Sequence, residues 1–207
     1  MSDSYPINLI IDYPDRKLNR LTTFFRIFTA IQIMIVMMLL LSTSYSYTSE
    51  TIKSVSTGAG LVFLPLVLML LFRQKYPRWW YDWNLELSKF LYRVAAYLYL
   101  LDDRYPSTDE EQSVHLTMPY PDTVVDLNRW LPLVKWFLAI PHIFVLIFLE
   151  IAAFVVIIIA WFAILFTCVY PRGMFDFVVD VIRWNFRVVS YAITLVTDKY
   201  PPFRLGV

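Results

Sequence analysis

Two apolar stretches, Leu131 to Leu149 and Ile151 to Val169, follow one another with only Glu150 between them. Two more, Phe24 to Leu41 and Gly58 to Phe72, lie upstream. Each comes near the roughly 20 residues that cross a ~30 Å hydrocarbon layer at ~1.5 Å rise per residue. At 58% hydrophobic residues the chain is too apolar for an ordinary soluble protein, so a membrane is the expected solvent. One helix over Leu131 to Val169 would be about 58 Å long, nearly twice the hydrocarbon thickness. A helical hairpin is therefore expected there, with Glu150 solvated at its turn. The Gly58 to Phe72 stretch is shorter and carries Pro65. It reads either as a spanning helix extended by flanking Ser and Thr or as a re-entrant or tilted element.

Lys and Arg accumulate near the cytoplasmic ends of spans. With two hairpins, the outer turns hold only Lys53 and every other Lys and Arg falls on one side. Four spans with both termini cytoplasmic follow, and residues 42–57 become an external loop. The N-terminus, MSDSYPINLIIDYPDRK, lacks the basic lead and apolar core of a secretory signal and is expected to stay uncleaved.

The chain is also written twice. Tyr13-Pro14-Asp15 matches Tyr120-Pro121-Asp122, and Leu18-Asn19-Arg20 matches Leu127-Asn128-Arg129. Tyr76-Pro77-Arg78 matches Tyr170-Pro171-Arg172, and Asp103-Arg104-Tyr105-Pro106 matches Asp198-Lys199-Tyr200-Pro201. The fold class expected is an all-α membrane protein of two parallel repeats related by a pseudo-two-fold axis along the membrane normal. Repeat 1 covers 1–106, with a hairpin over about 24–72 and an interfacial helix over about 82–101. Repeat 2 covers 113–207, with a hairpin over about 131–169 and an interfacial helix over about 176–197. Residues 102–112 are the acidic linker. The leads before the hairpins, Pro6 to Tyr13 and Ser113 to Tyr120, alternate apolar and polar residues as half-buried strands do and can pair with each other. Pro119 makes the second an edge or short strand.

Tyr-Pro stops each hairpin, because proline fixes its own backbone and pushes the preceding residue away from helix. Beyond it, Asp82, Glu86, Lys89 and Arg93 form one stripe of an α-helix, matched by Asp176, Asp180, Arg183 and Arg187. Trp79, Trp80 and Trp83 crowd beside the first stripe, which suits a headgroup layer. Acids precede bases, complementing the helix dipole. These charges read as a solvated, ion-paired face or, alternatively, as a lipid-headgroup or partner site near the pseudo-axis.

A net charge of +1 from 18 basic and 17 acidic residues argues against nucleic acid as a partner. One cysteine excludes an internal disulfide, and two histidines with that cysteine exclude zinc-finger-type metal sites. No GxSxG or phosphate loop occurs, and only four glycines are present. No cofactor is expected. The acid pairs Asp102/Asp103 and Glu110/Glu111 lie in the linker, where solvation accounts for them. Within the apolar stretches the polar candidates are Gln32 and His142, one position apart when the repeats are superposed. They read as interhelical hydrogen bonding or as a mid-membrane spot for a headgroup, a quinone or a proton.

The order YPD, LNR, hairpin, YPR and amphipathic helix, duplicated, resembles a family of bacterial integral membrane proteins built on the domain of unknown function numbered four thousand three hundred and eighty-nine. The second unit, YPDTVVDLNRWLPLVKWFLAIPH with FTCVYPRGMFDFVVDVIRWNFRV, resembles it best. The first unit departs: Leu-Thr-Thr follows Arg20, and Gln32 replaces the Pro-His pair. The resemblance implies a bacterial inner-membrane location and brings no catalytic residues.

The expected function is that of a non-enzymatic inner-membrane accessory or scaffold subunit touching phospholipid and other membrane protein subunits or copies of itself. An oligomeric carrier or channel for lipid or a hydrophobic solute is the alternative. A membrane enzyme with Asp176 or His142 as acid or base is the third.

Overall fold

The computed structural model describes residues 5–40, 43–48, 51–57, 66–108, 110–123 and 125–206. The protein is mostly helical. Its elements are β1 (Asn8–Ile11), α1 (Arg20–Leu40), β2 (Thr43–Thr48), β3 (Thr51–Thr57), a π-helical turn (Met69–Arg73), α2 (Arg78–Leu98), β4 (Val114–Thr117), α3 (Leu131–Thr167) and α4 (Arg172–Ala192).

Both Tyr-Pro-Arg sequences act as the sequence predicts. Gln74 and Cys168 take left-handed backbones that end the preceding helices, and Pro77 and Pro171 stand extended as the next N-caps. With φ already near the helical value at each proline, α2 and α4 start at the adjoining arginine, ahead of the expected 82 and 176. Each runs 21 residues. The left-handed Leu100 and Leu195 follow shortly after their ends.

The two leads form strands that pair with each other, with Leu9 opposite Leu116 and Ile10 opposite His115 in antiparallel register. They are shorter than their alternating patterns, and β4 stops before Pro119, which cannot donate to a ladder. Ile7, Leu9 and Ile11 point into the core beside Val178, Val179 and Ile182 of α4.

Three expectations need correction. The second hairpin does not form: α3 is one continuous helix of 37 residues, about 55 Å long at ~1.5 Å per residue. The chain around Glu150, Phe-Leu-Glu-Ile-Ala-Ala-Phe, contains no Gly, Asn or Pro to start a turn. Glu150 is half-buried within the continuous helix, with Tyr99, which follows α2, beside its carboxylate. Pro141 lies within α3 without ending it. Secondly, among the described residues one helix, α3, is long and apolar enough to cross a membrane, so four spans are not found. Thirdly, the stretch expected as an external loop carries the β2–β3 antiparallel hairpin, strand structure that the all-α fold class did not include there. Residues 58–65, with Pro65, lie outside the described residues.

Helix α4 returns antiparallel along α3. The buried positions of α3 are Pro132, Lys135, Ala139, His142, Leu146, Ala153, Ala160 and Ile164, a three-and-four spacing that keeps one seam toward its neighbour. Its three alanines let α4 approach closely. At the far end, Trp136 Nε1 donates to the Ala192 carbonyl at 2.8 Å.

Continuity of α3 has a direct test. Spin labels at Phe137→Cys and Phe162→Cys, in a Cys168→Ser background, are expected about 38 Å apart along one helix at ~1.5 Å per residue. A hairpin turning at Glu150 would bring them to about 10 Å, the spacing of packed helices. Double electron–electron resonance separates the two.

Candidate functional site

The matching sequence motifs turn out to be locks, and they work in corresponding pairs. Tyr13 Oη donates to the Tyr170 carbonyl and Tyr120 Oη to the Tyr76 carbonyl, each at 2.6 Å. Arg172 sits over the Tyr13 ring at 4.2 Å and Arg78 over the Tyr120 ring at 5.7 Å. Arg26 pairs with Asp103 at 2.6 Å and lies over Tyr97; Lys135 pairs with Asp198 at 2.7 Å and lies over Tyr191. Asn19 and Asn128 each give their backbone N–H to that same aspartate. Their side-chain oxygens accept from the N–H groups of Leu21 and Trp130, the Asx arrangement that opens a helix. The carboxylates at 102 and 103 are therefore not merely solvated: Asp102 holds Arg104 and Ser113.

The charged stripes are also tied to the chain's own backbone. Arg93 is buried and donates to the carbonyls of Ser107 and Thr108 at 3.0 and 3.2 Å. Arg183 donates to the Leu9 carbonyl at 2.9 Å and pairs with Asp180. Arg187 donates to the Gly206 carbonyl at 2.6 Å. Burial pushes the Asp180 carboxyl up while Arg183 pulls it back, and burial lowers Arg187. Glu86 and Lys89 pair at 2.7 Å on the surface, and Asp82 and Asp176 stand exposed. Trp79 and Trp83 are exposed, while Trp80 packs on the core.

The intramembrane candidates part company. Gln32 is exposed on α1. His142 is fully buried in an aromatic box: Phe203 stacks on it at 3.8 Å, Tyr200 lies 4.8 Å away, and Trp184 Nε1 donates to Nδ1 at 3.1 Å. That donation leaves the ring proton on Nε2 in the neutral form. Two of the box residues come from the C-terminal tail, which nothing near His142 in sequence announces.

Between α3 and α4 runs an apolar groove of about 560 Å³, from Trp136 and Ile193 at one end to Glu150 and Asn185 at the other. Behind Glu150, Tyr99 is pushed up to about 12 by burial first and the adjacent carboxylate second. Tyr92 is raised from the same two causes and donates to Asn185 Oδ1 at 3.4 Å. Sequence reasoning placed Glu150 in water and missed this cluster, since its tyrosines come from another helix. Among the described residues, no group of three or more His, Cys, Asp or Glu side chains could hold a metal ion.

The largest surface feature is apolar. Leu21, Phe24, Phe28 and Ile31 of α1, and residues from Leu133 to Phe166 along α3, are exposed. The exposed side of α3 includes Phe137, Phe144, Ile151, Phe154 and Phe162, each more than half exposed. A patch of this extent exceeds what a soluble monomer leaves open.

Residues 130–204, which comprise α3, α4 and the tail as far as the His142 box, match the family model of a domain of unknown function, DUF4389. No curated protein matches the chain, and no solved structure does.

Two outcomes are expected. Asp198→Ala strands the fully buried Lys135 and should cost on the order of 3 to 5 kcal/mol, whereas Glu86→Ala on the exposed pair should cost at most about 1; chemical denaturation measures both. Diethylpyrocarbonate should modify the exposed His115 and spare His142, and Phe203→Ala should open His142 to the reagent, as peptide mass mapping would show.

Proposed function

We propose that this chain is a non-enzymatic membrane scaffold or accessory subunit, held in the bilayer by the apolar faces of α1 and α3. The observation that carries the reading is one-sidedness: α3 is apolar and open on one side, while its buried Lys135 and His142 face the rest of the protein. His142 and the buried bases Arg26, Arg93, Lys135, Arg183 and Arg187 are engaged in holding the fold, while Asp82 and Asp176 stand exposed. That supports a scaffold over an enzyme.

Under this reading the chain is a tandem duplication with a pseudo-two-fold axis. The corresponding locks support it, as does the strand register, in which Leu9 faces Leu116, its own counterpart when Tyr13 is set on Tyr120. Both termini lie toward one water phase, the cytoplasm of a bacterial cell. Support comes from Tyr5 Oη donating to the Lys199 carbonyl at 3.2 Å and from Arg187 gripping the Gly206 carbonyl. Phospholipid covers the apolar side, and a further membrane subunit is the expected partner. The α3–α4 groove favours a second reading, a carrier for a hydrophobic solute whose polar end meets Glu150 and Asn185.

Alkaline carbonate extraction should leave the native chain in the membrane pellet. Phe144→Asp with Phe154→Asp, both on the open side of α3, should move much of it to the supernatant, at ~2.5 to 3.5 kcal/mol per buried aspartate. A native chain that extracts freely would end the membrane reading. In mild detergent, a partner at fixed stoichiometry supports the subunit; a chain that elutes with lipid alone removes it.

A further inference from the structure

The inference concerns how α3 sits in the bilayer, and it rests on the membrane reading above. Polar attachments stand toward both ends of the helix: Lys135 to Asp198 at one, and Trp161 Nε1 to the Thr23 carbonyl and the Phe166 carbonyl to Arg20 at the other. From Lys135 to Phe166 that is about 46 Å of helix at ~1.5 Å per residue. Helix α4, 21 residues or about 31 Å at ~1.5 Å per residue, lies antiparallel along α3 and carries Arg172, Asp176, Asp180, Arg183 and Arg187. If α3 crossed the bilayer upright, this charged stripe would cross with it, at several kcal/mol per ion.

Lying flat removes the conflict. The open side of α3 is one helix deep, about 10 Å, and one leaflet of hydrocarbon is about 15 Å thick, half of the ~30 Å core. Charge is placed to match. Beside the C-terminal end of α3 stand the exposed Arg16, Lys17, Arg20 and Arg172, with Arg20 donating to the Phe166 carbonyl at 3.0 Å. Beside its N-terminal end stand the exposed Arg73, Lys75, Arg78 and Arg129, with Arg129 donating to Gln74 Oε1 at 2.9 Å. Exposed Trp79 and Trp130 accompany the second group, as aromatic side chains do at headgroup level. An upright helix would put these two basic groups on opposite faces of the membrane.

We propose that α3 lies in the plane of a single leaflet, its open side among the acyl chains and its two flanking basic clusters in the anionic phospholipid headgroup layer of that same leaflet. The chain is then a wedge in one face of the membrane rather than a bridge across it.

The test uses single spin labels at Phe137→Cys, Ile151→Cys and Phe162→Cys, with Cys168→Ser. The full chain is reconstituted in phosphatidylcholine vesicles containing phosphatidylglycerol. Relaxation by oxygen and by a water-soluble nickel chelate reports depth. One common depth short of the bilayer centre is expected for all three. Ile151 deepest, with the other two at opposite boundaries, overturns the in-plane placement and leaves the membrane reading standing. Three labels all open to nickel overturn the membrane reading itself. A membrane-impermeant maleimide should reach Trp130→Cys and Val169→Cys from the same side of sealed vesicles; labelling from opposite sides overturns the proposal. Lipid extracted with the detergent-purified chain should be enriched in phosphatidylglycerol over the vesicle mixture. Replacing Arg16, Lys17, Arg73 and Lys75 by Gln should abolish that enrichment, and unchanged enrichment removes the headgroup assignment.

Discussion

Everything in this fold is arranged around the single seam of α3. A helix this apolar has little reason of its own to present one face rather than another, since Phe, Ile and Val surround it. Orientation comes from the few positions that cannot face hydrocarbon, Lys135 and His142, and from the alanines that admit a neighbouring backbone. Lys135 is fully enclosed, so it must find an anion and carbonyl partners, and Asp198 and the Thr197 carbonyl provide them at 2.7 Å. A buried pair of this kind adds little net stability over apolar packing, because desolvation offsets attraction. Its consequence is positional: the tail can settle in only one place.

The same logic runs through the corresponding locks. Arg26 with Asp103 does for α1 what Lys135 with Asp198 does for α3, and an aromatic ring, Tyr97 or Tyr191, lies against each cation. The tyrosines of the two YPD turns reach the carbonyls of the YPR tyrosines. A tyrosine hydroxyl supplies one donor at the end of a rigid apolar body, which suits a contact made at the margin of a hydrophobic core. The stripes on α2 and α4 are drawn into this framework through Arg93, Arg183 and Arg187, which cap carbonyls of loops, strand and tail. What remains open on the outside is a broad apolar side, a groove ending at Glu150, and exposed basic residues at both ends of α3.

Much of this was legible in residue order. Tyr-Pro-Arg announced where helices stop and restart, because proline's fixed φ and missing N–H act whatever surrounds them. Alternation in the two leads announced strands, which pair with each other. Two amphipathic helices were found where expected, but Arg93, Arg183 and Arg187 of their charged stripes are buried and Trp83 is exposed. What failed was the inference that Glu150 must turn toward water. That reasoning was sound for a helix alone and wrong once Tyr92 and Tyr99 from another part of the chain came to lie beside the carboxylate. His142 met the interhelical hydrogen bond expected of it, from Trp184 of α4, but its box is completed by Phe203, far along the chain.

Local chemistry alone therefore determined the break points, the amphipathic stripes, the paired strands and the apolar character, for these depend on dihedral limits and on periodicity within a few residues. Tertiary structure alone decided that α3 runs unbroken, that the matched motifs lock onto one another, and that polar contacts gather on one side of it. Those outcomes depend on which distant donor meets a given acceptor, and no window of sequence contains both partners.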